Sequence, residues 1–128
     1  MQYEEFVNKV QDRIGLAQPD EARRAITATF STLSERISLG EASDLAAQLP
    51  QELKEPLHRA GEDAEEFSLE EFLRRVGERG SVNADAARDH ASAVMTVLEE
   101  AVSGGEWDDV RAQLPREFEP LFQYGRQS

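Results

Sequence analysis

The chain has 128 residues, 39% hydrophobic and 31% charged, a balance that suits a folded globular protein rather than a disordered one. Its 26 Asp and Glu against 14 Lys and Arg give a formal net charge of −12, with no positive face for nucleic acid or an anionic membrane. The absence of cysteine excludes disulfides, thiolate metal sites and a cysteine nucleophile, and a charged N-terminus without a signal or spanning segment points to the cytoplasm.

The first predicted helix covers about 2–14, with Tyr3, Phe6, Val7, Val10 and Ile14 spaced by three and four along one face. Gly15 offers its stop. A longer helix over about 19–38 opens on Pro19 and carries Ala22, Ile26, Phe30, Leu33 and Ile37; Gly40 is read as its end. A third helix, about 41–49, turns Ala42, Leu45 and Leu49 inward and finishes at the leucine, because Pro50 disfavours helical geometry in the residue before it. A short fourth helix follows from Pro50, with Leu53 and Leu57. The polar, glycine-containing stretch 60–66 reads as a linker.

The same series then recurs. Ser68 and Glu71 form a capping box for a helix over about 68–79, with Leu69, Phe72, Leu73 and Val76 inward and Gly80 as the stop. Asn83 suits the N-cap of a helix over about 84–103, striped with Ala87, Ala91, Val94, Leu98 and Val102; Gly104-Gly105 are read as its end. A helix over about 106–114 carries Trp107, Val110 and Leu114, and a last short one Phe118, Leu121 and Phe122.

The recurrence extends to residue identity. Ala47-Gln48-Leu49-Pro50-Gln51-Glu52 matches Ala112-Gln113-Leu114-Pro115-Arg116-Glu117 at an offset of 65, and Gly40-Glu41 matches Gly105-Glu106 at the same offset. Glu4-Glu5-Phe6 matches Glu70-Glu71-Phe72, and Arg13 matches Arg79, at an offset of 66. The expectation is an all-α protein made by tandem duplication of a three-to-four-helix unit, with repeats 2–59 and 67–124. The two are packed as one pseudo-twofold bundle in a single compact domain, 1–128. No alternating β-branched run competes. The repeated Ala-Gln-Leu-Pro-x-Glu reads as a structural element whose leucines plug the core, prolines turn the chain and glutamates cap the next helix.

Chemistry-bearing constellations are sparse. Glu55 and His58 have the Glu-x-x-His spacing of di-iron bundles, but the second copy reads Glu119-Pro120-Leu121-Phe122, so no metal is expected there. His90 reads as a surface or boundary side chain. Acidic pairs such as Glu70-Glu71 and Asp108-Asp109 read as solvated faces, and no nucleophile elbow or phosphate loop is present. No catalytic residue, cofactor or metal is expected.

Tyr3-Glu4-Glu5-Phe6-Val7, Ala22-Arg23-Arg24-Ala25 and the doubled Ala-Gln-Leu-Pro-x-Glu with its following Pro-Leu resemble the bacterial and archaeal domain of unknown function 2267, over about 2–122. The resemblance implies a short, all-α, prokaryotic domain and brings no known activity or functional residue. The leading expectation is a non-enzymatic module that binds another protein or itself through Trp107, Phe118, Leu121, Phe122 and Tyr124, and neither nucleic acid nor membrane. The alternative is a small-molecule or ion-binding stress-related protein with a pocket between the two repeats.

Overall fold

A computed structural model describes residues 1–58 and 63–123, with the side chain of residue 123 excluded. The protein is all-α. Among the described residues the elements run α1 (Tyr3–Ile14), α2 (Pro19–Arg36), α3 (Leu39–Ala47), α4 (Gln51–Lys54) with a 3-10 turn at Glu55–Leu57, then α5 (Leu69–Gly80), α6 (Ala84–Ala101), α7 (Gly104–Ala112), a 3-10 turn at Arg116–Phe118, and α8 (Glu119–Gln123). The first three helices have 12, 18 and 9 residues, and α5 to α7 have the same lengths. No helix among the described residues is long and apolar enough to cross a membrane.

The stripes read from the sequence enter the core, with Tyr3, Ile14 and Val102 only partly buried at its edge. Phe6, Val7 and Val10 of α1 and Phe72, Leu73 and Val76 of α5 enter one core together with most of α2 and α6. α1 packs on both α2 and α6, and α5 on both α6 and α2, so each half covers helices of the other. Phe6 meets Phe30 edge-on at 5.8 Å, and Phe72 meets Phe118 edge-on at 5.5 Å.

Charged clamps close both crossings. Lys9 and Arg13 on α1 grip Glu100 of α6 at 2.9 and 3.2 Å. Arg75 and Arg79 on α5 grip Glu35 of α2 at 2.9 and 2.8 Å. The basic residues are related by an offset of 66 and the glutamates by 65, the same offsets as the sequence matches. Arg75 also lies 4.0 Å over the Phe67 ring and pairs with Glu65 and Glu71.

The boundaries between the second and third helices of each half differ from expectation. Gly40 and Gly104-Gly105 do not end the long helices. They lie in the first turns of α3 and α7, which Ser38 and Ser103 cap by accepting from the amides of Glu41 and Glu106. At the other end, α3 and α7 stop at Ala47 and Ala112, two residues before the leucines. Pro50 and Pro115 take extended N-cap positions rather than first helical turns. Gly80 is not a stop either: it is the last residue of α5, and Ser81 takes the left-handed conformation at φ +58.

Two glycines separate packing from permissiveness. A Cβ at Gly77 would meet the Val82 carbonyl oxygen at 2.9 Å, whereas one at Gly40 would meet nothing. Gly77→Ala is expected to cost about 1–3 kcal/mol in urea denaturation, and Gly40→Ala to be neutral or to add up to about 1 kcal/mol of helix stability.

Candidate functional site

The third helix of one half packs against the third helix of the other, α3 on α7. Both begin with Ser-x-x-Glu, the capping-box pattern, in which the glutamate side chain ordinarily returns to the backbone N–H of the N-cap serine. Here that N–H is taken by the other half. Ser38 N–H donates to Gln113 Oε1 and Ser103 N–H to Gln48 Oε1, each at 2.7 Å. The glutamine amide groups donate in return to the serine hydroxyls, Gln48 to Ser103 and Gln113 to Ser38, each at 3.2 Å. Gln48 and Gln113 are themselves the C-cap residues of α3 and α7.

This exchange leaves the two glutamates without their usual partner, and their carboxylates turn into the seam. One oxygen each from Glu41, Glu106 and Asp109 lies within 4.8 Å of the others. Glu106 is 7% exposed. Its Oε2, like Oε2 of Glu41, is buried with no hydrogen-bond partner among the described residues. Glu41 Oε1 receives a long bond, 3.4 Å, from Gln113. No ion pair among the described residues involves Glu41, Asp44, Glu106 or Asp109. Burial pushes the Glu106 carboxyl up to about 8, reinforced by its contact with Glu41 and by the charges of Glu41, Asp44 and Asp109. Two buried carboxyls facing each other without a cation must share a proton or recruit a positive ion.

A family model described as an uncharacterized conserved protein (DUF2267) matches residues 3–121, a span that holds both Ala-Gln-Leu-Pro-x-Glu segments and the whole seam. The chain belongs to the DUF2267 family. No curated protein matches it.

Of the residues expected to form an apolar partner surface in this DUF2267 protein, the described ones are buried. Phe118, Leu121 and Phe122 are buried in the core, and Trp107 is 4% exposed, edge-on to Phe122 at 5.5 Å. The expectation of exposure for Phe118, Leu121 and Phe122 is therefore corrected: Phe118 packs on Phe72 of α5, and α8 lies against α6. Tyr124 lies outside the described residues. Among the described residues Leu39, at 38%, is the exposed large hydrophobic. Glu117 caps a helix, as the repeated motif suggested, but the helix is α5, through the Leu69 amide at 2.8 Å, and not the one that follows it.

Of the histidines, His58 is exposed, as expected, while His90 is buried and not at the surface. The larger groove of the DUF2267 fold, about 860 Å³, runs between α5 and α6 beside Leu69, Leu73, Arg74 and Arg88 rather than between the halves. A smaller one, about 490 Å³, is shared by Ser31, Glu35 and His58 of the first half and Arg79 of the second. Neither groove is lined by Glu41 or Glu106.

The seam glutamates were missed because Ser38-x-x-Glu41 and Ser103-x-x-Glu106 stand next to glycines that read as helix stops. The doubled Ser-x-x-Glu, in register with the doubled Ala-Gln-Leu-Pro, was the signal that could have found them.

Replacing Gln48 by Ala removes two seam hydrogen bonds and replacing Gln113 removes three, at an expected cost of about 0.5–1.5 kcal/mol for each bond, read from the urea midpoint. Burial holds the His90 pKa below 6.5, against the opposing charges of Asp89 and Glu21. The stability due to neutral His90 is therefore present above pH 6.5 and lost as the pH falls below it. His90→Leu is expected to flatten the stability profile between pH 6.5 and 5, measured by urea denaturation at successive pH values.

Proposed function

We propose that this DUF2267 chain is a non-enzymatic ion-binding module whose working site is the α3–α7 seam. One observation carries the reading: Glu106 is buried, has an oxygen without a partner and faces two further carboxylates, with no basic side chain paired to any of them among the described residues. A packed interior does not ordinarily tolerate such an arrangement. An uncompensated buried carboxylate costs several kcal/mol (~3–5 when a buried pair is broken). A site that binds a positive ion turns this cost into affinity.

The reading goes with duplication of the unit. Equal helix lengths, clamps at matching offsets and the exchanged glutamine caps all support it, and the carboxylates then come from equivalent positions of the two copies. Of the apolar residues that the rival reading, a protein-binding or self-association module, would expose, Phe118, Leu121 and Phe122 are buried, and Tyr124 lies outside the described residues.

Thermal unfolding at constant ionic strength, with the cation varied, tests the proposal. The expected result is a saturating rise in Tm, since a ligand that binds only the folded state at ~100 times its Kd adds about 2.7 kcal/mol. Glu106→Gln is expected to raise the stability of the ion-free protein and to abolish the ion response. Loss of stability in ion-free Glu106→Gln, with a response equal to that of the parent, would overturn it.

A further inference from the structure

We infer that Glu41, Glu106 and Asp109 bind a hard divalent cation such as calcium, and that the ion bolts α3 to α7. The inference rests on the ion-binding reading above and goes beyond it in naming the ion class and the consequence of binding.

The donor set is all oxygen. Histidine and cysteine, the ligands that favour zinc, copper or nickel, are absent from the cluster, which leaves calcium, magnesium and manganese as the matching class. Two ligands on one ion lie at most twice the ion–oxygen distance apart, roughly 4.6–5.2 Å for calcium. The three oxygens lie within 4.8 Å of one another, near enough to share one ion.

A cluster of acids alone would mean little on a chain with 26 of them. The independent observation is Glu106, more than nine-tenths buried, with one carboxylate oxygen in the cluster and its Oε2 without a hydrogen-bond partner among the described residues. Glutamines from the opposite half hold the serine amides that would otherwise draw the glutamates away. A bound cation takes the place of the proton that Glu106 otherwise holds. Asp109 is exposed, so it gives the ion a route in and leaves room for the waters that complete a six-to-eight-ligand shell. Asp44 adds negative charge from α3. Because α3 and α7 belong to opposite halves, occupancy cross-links them.

The experiment uses the full chain. Terbium serves as the calcium analogue, and Trp107, the residue next to Glu106 and the single tryptophan of the chain, serves as sensitiser. Sensitised terbium emission that is competed away by calcium, with calcium heat in isothermal titration, is the expected result. Glu106→Gln and Asp109→Asn are each expected to lower calcium affinity by at least ~10-fold, while Asp108→Asn, an exposed acid outside the cluster, leaves it unchanged. Asp109 is a rim residue, so its variant tests the site without disturbing the core.

Equal losses in Asp108→Asn and Asp109→Asn would mean diffuse surface charge and would overturn the inference. So would the absence of emission and heat at millimolar cation. In that case a sodium arm separates the two claims. Stabilisation of the parent but not of Glu106→Gln by sodium would leave the ion-binding reading standing and remove the divalent site. No response to either ion would remove both.

Discussion

The two long helices are buried around most of their circumference, and that burial governs how the rest of the chain is arranged. On α2 the buried positions include Ala22, Ala25, Ile26, Ala28, Thr29, Phe30, Thr32 and Leu33, which together occupy more than one face. A single neighbouring helix covers one stripe of such a cylinder. A half of some 60 residues is close to the size at which burial on folding becomes marginal. The solution is interleaving: α1 and α5 each pack on the long helices of both halves, and a glutamate on each long helix is gripped by two basic residues from across the crossing.

Interleaving brings the ends of α2 and α6 to the starts of α3 and α7, and the seam follows from that geometry. Two capping requirements then compete for one donor. Each N-cap serine amide can be satisfied by the glutamate three residues on or by the glutamine arriving from the other half. The glutamine wins in both places. A neutral amide offers an acceptor and a donor at once, so it satisfies the serine N–H and the serine hydroxyl together, which a carboxylate cannot do. The displaced glutamates are left facing each other, and their mutual repulsion and desolvation push Glu106 up. Local capping is thus improved at the expense of an electrostatic conflict. Conflicts of this kind, where surrounding structure holds groups in an unfavourable environment, are frequent at functional positions.

The repeated Ala-Gln-Leu-Pro-x-Glu gains a physical account from the same geometry. The glutamine is the seam cap, the leucine enters the core, and the proline stands at the start of the next turn. The terminal glutamates are both exposed, and Glu117 accepts from the Leu69 amide of α5. Bulk differs between the halves. Trp107 and Phe122 pair at positions where the first half has Ala42 and His58, so the core is filled differently at its two ends.

Periodicity alone determined the helix count and the inward faces, because a spacing of three and four on strongly amphipathic segments such as α1 and α5 permits few other structures. Composition determined the net charge of −12. Chain direction at Gly40 and Gly104 was misread because glycine is equally at home after a helix and inside a first turn; only the serine hydroxyls, placed by tertiary packing, choose between the two. The aromatic residues near the C-terminus were ambiguous for a related reason. A short apolar segment is indistinguishable in sequence from a docking surface until the helix it lies on is known, and here that helix is α6. The carboxylate seam was decided by tertiary structure alone. Glu41 and Glu106 stand far apart in the chain, and what sets their environment is a glutamine from the opposite half, whose identity the sequence shows but whose destination depends on how the halves cross.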